Sequence, residues 1–168
     1  SDKEKLITIG LKPNKPETGF GYIQFFEGDN NVRRVKTFTE KPERKLAETF
    51  LQSGDFVWNS GIFIWSASAI VGEIEKSLPE LGELFEEAEP DLGTPEEKAT
   101  IASVYSQCTN ISIDYGVMEK ASSVFVVLAD FTWSDLGSWN ALHEHGEKDK
   151  NDNVIQANAL LYNTKNTL

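Results

Sequence analysis

Branched and polar residues alternate through Leu6-Ile7-Thr8-Ile9-Gly10, which predicts a strand close to the first residue. Residues 12–18 hold two prolines and an asparagine and read as a loop. Residues 20–26 and 32–39 read as strands around the turn-rich Glu27-Gly28-Asp29-Asn30-Asn31, which suits an antiparallel hairpin. The period then changes. Leu46, Ala47, Phe50 and Leu51 form an apolar stripe over a helix at 42–52, with Gly54 as its stop. Residues 56–65 are apolar except at Asn59-Ser60-Gly61 and read as a central strand. Residues 67–107 read as helical. Ile70, Ile74 and Leu78 share a face, Pro79 ends or kinks that helix, and Leu81, Leu84, Phe85 and Ala88 continue the pattern. Thr94-Pro95-Glu96-Glu97 has the form of a new helix start. A short helix at 113–120, a buried strand at 124–128, a helix at 138–145 closed by Gly146 and a strand-like stretch at 154–162 complete the series. Strands interleaved with helices, beginning with a hairpin, predict an α/β fold with a mixed sheet and flanking helices.

At 168 residues the chain has the length of one ordinary domain, and ten phenylalanines and four tryptophans supply a core. The net charge of −11 is uneven: residues 71–98 carry ten acids and two bases, residues 1–45 ten bases and seven acids. The acid excess reads as solvated helix surface, and the balance excludes a nucleic-acid face or an anionic membrane as partner. It leaves room for a phosphorylated small molecule, which needs one or two placed cations. A homo-oligomer stays open. Cys108 is the one cysteine, so no intrachain disulfide forms and a reducing, cytoplasmic setting is expected. No apolar run approaches the roughly 20 residues of a membrane span, and the first residues lack a signal-peptide core. The chain starts almost directly on a strand, as both natural domains and excised pieces of larger ones do. His143 and His145 lack metal-ligand spacing and read as surface residues.

Three places break the local preferences of their elements. In Thr39-Glu40-Lys41-Pro42 a strand meets a helix, and Lys41 falls at or beside the cap, where lysine can accept no hydrogen bond and opposes the helix dipole. Either Lys41 points into solvent or a bound phosphate draws the ammonium and backbone N–H groups together. Asn59 interrupts an apolar strand. It is either bonded to backbone at a β-bulge or faces a ligand hydroxyl, with Gly61 permitting close approach. Asp135 stands between Trp133 and Trp139, where α/β folds gather ligands after a strand. It either helps to cap the next helix or offers a carboxylate to Mg²⁺. Gly19-Phe20-Gly21-Tyr22 permits backbone contact with a ligand or a tight turn, and Asp114 suits a helix start.

Five segments together carry a resemblance. Thr8-Ile9-Gly10-Leu11-Lys12-Pro13 leading to Glu17-Thr18-Gly19-Phe20-Gly21-Tyr22-Ile23, then Phe38-Thr39-Glu40-Lys41-Pro42, Trp58-Asn59-Ser60-Gly61-Ile62-Phe63, Ser112-Ile113-Asp114-Tyr115-Gly116-Val117-Met118-Glu119-Lys120 and Trp133-Ser134-Asp135-Leu136-Gly137-Ser138-Trp139 resemble, in order, the motifs of the mannose-1-phosphate guanylyltransferases. The match runs from Leu6 to Trp139 and fades afterwards. The resemblance implies the C-terminal part of a Rossmann-like nucleotidyltransferase domain, with residues 1–150 binding sugar phosphate and 151–168 opening an extension or linker. It implies GTP and mannose 1-phosphate as substrates, GDP-mannose and pyrophosphate as products, and Mg²⁺ as cofactor. Lys41 would grip the sugar's phosphate, Glu40 its ring hydroxyls and Asn59 a hydroxyl. Gly21 and Tyr22 would line the sugar site, as would Asp114, and Asp135 would hold Mg²⁺. The family's Gly-rich nucleotide loop and second metal-binding aspartate have no counterpart here, so a fragment that cannot complete turnover alone is expected. The alternatives are a nucleotidyltransferase for another sugar 1-phosphate or a non-catalytic module of the same fold.

Overall fold

The computed structural model describes residues 5–131 and 133–168. They divide into two compact units that meet in sequence at Asp130 and Phe131, ahead of residue 150.

The first unit is built on five strands: β1 (Leu6–Leu11), β2 (Tyr22–Phe25), β3 (Val32–Thr39), β4 (Phe56–Ile64) and β5 (Val124–Ala129). The expected hairpin is present, with β2 antiparallel to β3. β4 is central, pairing antiparallel with both β1 and β2. β1 and β5 are parallel, so the sheet is mixed as expected. It also closes: β3 pairs with β5 through Val32–Val127, Arg33–Val126 and Arg34–Phe125, completing the ring β1-β4-β2-β3-β5. Two register breaks add the twist that closure needs, one between Thr8 and Gly10 against β4 and one at Gln24/Phe25 against β3. Leu6, Ile23, Phe38, Val57, Val117, Met118, Val124 and Val126 form the core.

Helix α1 spans Arg44–Ser53 and ends at Gly54, whose left-handed φ of 78° explains the glycine. It begins later than the expected residue 42: Glu43 is the N-cap, so Pro42 lies before the helix and Lys41 is not at its cap. Leu46 leaves the expected stripe, 42% exposed, because Ala47 takes the inward position. Pro79 divides α2 (Ala67–Ser77) from α3 (Pro79–Ala88) as expected, and Ser66 caps α2 by accepting Ala69 N–H. α4 (Glu97–Gln107) starts beyond the expected Thr94 cap. The Thr94 hydroxyl instead donates to the Asp91 carbonyl and accepts Glu96 N–H, forming a turn ahead of the helix. Where a short α-helix was expected, Asp114–Met118 is a π-helical turn, with Glu119 N–H donating to the Asp114 carbonyl.

In the second unit α5 (Trp139–His145) is capped by Ser138. The strand expected at 154–162 is absent. Val154 makes one bridge with Lys148, but its N–H donates to the Thr167 carbonyl, and Leu160 and Tyr162 are exposed, so no ladder forms. The Asp149 carboxylate organises this region by accepting Asn151 N–H, Asn153 N–H and Asn153 Nδ2. His145 is exposed as expected; His143 is half-buried and donates from Nε2 to the Asp152 carbonyl at 2.6 Å. No helix among the described residues is long and apolar enough to cross a membrane.

Candidate functional site

Strand register assembles the site. Tyr22 pairs with Thr39 on one side and with Trp58 on the other. The next row therefore holds Glu40, Gly21 and Asn59 side by side, and Asn59 N–H donates to the Gly21 carbonyl at 2.8 Å. Gly21 has no side chain because there is no space for one. A Cβ there would run into Glu40 Oε2 and lie 3.2 Å from Asn59 Cβ. Its carbonyl already serves Asn59, so its main contribution is room.

Alternation sends the neighbouring row to the opposite face. Tyr22 is fully buried, and its ring packs 5.4 Å from that of Phe50 beneath α1. The Tyr22 side chain, expected at the sugar site, is placed in the interior, where its hydroxyl has no hydrogen-bond partner among the described residues.

Asn59 resolves its two sequence readings in an unexpected way. The bulge exists: Thr8 pairs with Phe63 and Gly10 with Asn59, so three residues of β4 face one of β1, and Gly61 sits at φ 71°. Asn59 is 7% exposed, and its side chain is held on both ends. Its Oδ1 accepts from Thr8 Oγ1 at 2.8 Å and from Gly61 N–H at 3.3 Å, and its Nδ2 donates to Asp114 Oδ1 at 3.0 Å. The π-helical turn thus brings Asp114 against Asn59.

Glu40 and Lys41 follow β3. Lys41 has a φ of 46°, a left-handed conformation that costs a non-glycine residue about 1 kcal/mol. Its ammonium lies 3.0 Å from Glu40 Oε1; the lysine side chain is 58% exposed and the glutamate side chain 7%. Glu40 Oε2 is buried with no hydrogen-bond partner among the described residues. Burial is the main reason that the Glu40 carboxyl is held above the usual carboxylate range. The Lys41 bond opposes the shift, while the charges of Asp114 and Glu119 add to it. Glu40 in turn holds the Lys41 ammonium above the usual lysine range, so it stays charged.

A raised carboxyl pKa means that the folded state binds the proton more tightly than the unfolded one. This contribution to stability is greatest below the unfolded pKa and falls as pH rises through the folded pKa. Glu40→Gln should remove that fall. Melting temperatures of both proteins across acidic to neutral pH check it, and parallel profiles would contradict the assignment.

Asp135 lies in the second unit. Its carboxylate is exposed and accepts Gly137 N–H at 3.1 Å, next to Leu136 at φ 51°. It does not cap α5, since Ser138 does. Trp139, one of the four tryptophans expected to supply a core, is 77% exposed. Among the described residues no group of three His, Cys, Asp or Glu could hold a metal ion together.

Three contributors were not singled out from sequence: Thr8, Tyr115 and Glu119. Thr8 carried a signal, being a polar residue on the inward-facing positions of β1. Glu119 N–H closes the π-turn on Asp114, and this spacing is invisible when a regular helix is assumed.

A strand row carrying a buried carboxylate, an amide and an exposed ammonium suits recognition of a polar, anionic small molecule. The nucleotidyl transferase profile matches residues 1–152, and the chain belongs to that family. Among its relatives is a mannose-1-phosphate guanylyltransferase of Klebsiella pneumoniae, 37% identical over 99% of this chain and 36% of that protein. Another, from Sinorhizobium fredii, is 38% identical over 98% of this chain and 32% of that protein. The crystal structure of a mannose-1-phosphate geranyltransferase from Thermus thermophilus superimposes with a TM-score of 0.75 at 36% identity, covering 90% of this chain and 43% of that one. The chain spans about a third of the length of the curated relatives it matches.

Proposed function

We propose that this chain carries the sugar-phosphate site of a mannose-1-phosphate guanylyltransferase. In that reaction a phosphate oxygen of mannose 1-phosphate attacks the α-phosphorus of GTP. The bond from that phosphorus to the β-phosphate oxygen breaks, and GDP-mannose and pyrophosphate result. The observation that carries the reading is Glu40: a buried carboxylate oxygen packed against Gly21 and without a donor among the described residues, with an exposed ammonium at its other oxygen. A ring hydroxyl supplies the missing donor, and a phosphate suits the ammonium.

The surroundings of each residue support the part it has in this reading. Lys41 neutralises the sugar phosphate and orients its attacking oxygen. Glu40 accepts from ring hydroxyls. Asn59 has one N–H beyond its bond to Asp114, and Asp114 has a second carboxylate oxygen, for further hydroxyls. Mg²⁺, when bound, would offset charge on the reacting phosphates. Asp135, with one carboxylate oxygen engaged by Gly137, would give it a protein ligand, a donor set that suits a cation taking its remaining oxygens from phosphate and water. One half-buried cysteine, Cys108, suits a reducing compartment, and the reading includes a cytoplasmic setting.

Calorimetric titration of the chain with mannose 1-phosphate, glucose 1-phosphate, free mannose and inorganic phosphate tests the proposal. Mannose 1-phosphate should bind at least about tenfold more tightly than mannose or phosphate alone, since each offers half of the contacts. No affinity for any sugar phosphate would overturn the reading, and a preference for glucose 1-phosphate would transfer it to that substrate.

A further inference from the structure

We infer that Glu119 is a positioning residue: its carboxylate fixes the backbone of Glu40 so that the Glu40 and Lys41 side chains are presented together to the sugar phosphate. This rests on the function proposed above and extends it to a residue without a direct ligand contact.

The geometry is specific. Glu119 Oε1 accepts Glu40 N–H at 3.0 Å, across 79 residues of sequence. The Tyr115 hydroxyl donates to the Glu40 carbonyl at 3.4 Å. Both polar groups of the Glu40 backbone are therefore held by side chains of the same turn. That turn also delivers Asp114 to Asn59. One π-helical turn thus grips the end of β3 and the middle of β4 together, which fixes the spacing between Glu40 and Asn59.

The grip is placed where the chain needs it. Lys41 is in a left-handed conformation that its side chain disfavours, and such a conformation persists when neighbouring structure over-determines it. Glu40 precedes it and has both its N–H and its carbonyl engaged. The bond from Glu119 is charge-assisted, the stronger class of hydrogen bond to a backbone amide. An amide oxygen in the same place could accept the same N–H, whereas alanine could not. An acceptor held at that position is thus the part assigned to Glu119.

The test compares Glu119→Ala and Glu119→Gln with the unaltered chain. Mannose 1-phosphate binding is measured by calorimetry, and exchange of the Glu40 amide by NMR without ligand. Glu119→Ala should weaken binding by about tenfold and speed Glu40 amide exchange by a similar factor, the loss of one charge-assisted bond. Glu119→Gln should restore both to within about threefold of the unaltered chain, the smaller cost of exchanging a charged for a neutral acceptor. Circular dichroism shows whether each variant is folded. If alanine unfolds the chain, Glu119→Gln and Tyr115→Phe carry the comparison: Gln near the unaltered value with Phe weakened supports the inference. Equal losses in Ala and Gln would overturn it, as would a folded Ala variant with unaltered Glu40 exchange. If the unaltered chain binds no sugar phosphate, the proposed function fails by that fact, and amide exchange still decides whether Glu119 holds Glu40.

Discussion

Lys41→Ala should weaken mannose 1-phosphate binding by about 10- to 100-fold, the loss of one charge-assisted bond to phosphate. The lysine side chain is more than half exposed, so solvent screening favours the lower end, and the effect should shrink with added salt. Lys41→Gly separates chemistry from folding. Both variants lose the ammonium, but glycine adopts a φ of 46° at little cost while alanine does not. The glycine variant should therefore be more stable than the alanine variant by about 1 kcal/mol and bind equally poorly. Urea unfolding and calorimetry on the pair check this. Retained affinity in either variant would remove Lys41 from the phosphate site.

The second large effect is on stability. Asn59 joins β1 through Thr8 to the π-turn through Asp114, and its amide is almost wholly buried. Asn59→Ala removes both bonds at once, together with the bond from Gly61 N–H. Thr8 still has the Ile62 carbonyl at 3.2 Å, but Asp114 loses the amide donor. The expected cost is about 2–3 kcal/mol, the usual penalty for leaving buried polar groups unpaired. For a chain of this length that lowers the melting temperature by roughly 4–12 °C. Thr8→Val, which deletes one hydroxyl and keeps the shape, should cost about 1 kcal/mol. If both substitutions cost the same, Asn59 does not bridge the two elements.

The strand and helix series was largely legible because it follows from side-chain period, and period survives whatever the chain packs against. β1, the β2–β3 hairpin, β4, the break at Pro79 and the Ser138 start of α5 are local facts of this kind. The exceptions have physical causes. The stretch 154–162 has strand composition, but composition does not supply a partner strand, and its backbone bonds go elsewhere. Leu46 fits the apolar stripe of α1, yet Ala47 takes the buried position, which periodicity alone does not rank.

Lys41, Asn59 and Asp135 were readable because each breaks the preference of its element, and an unexplained polar residue stands out in one dimension; Glu40 and Asp114 were reached only through the family motifs that hold them. Their arrangement was not readable. Strand register, which depends on pairings between segments far apart in sequence, put Glu40, Gly21 and Asn59 in one row and turned Tyr22 inward. A π-turn in place of an α-helix, selected by packing of Val117 and Met118 into the core, aimed Asp114, Tyr115 and Glu119 at that row. Local sequence thus singled out candidate residues for the site, because propensity and polarity belong to the residue. Tertiary structure decided which of them meet, because hydrogen-bond partners and burial are properties of pairs.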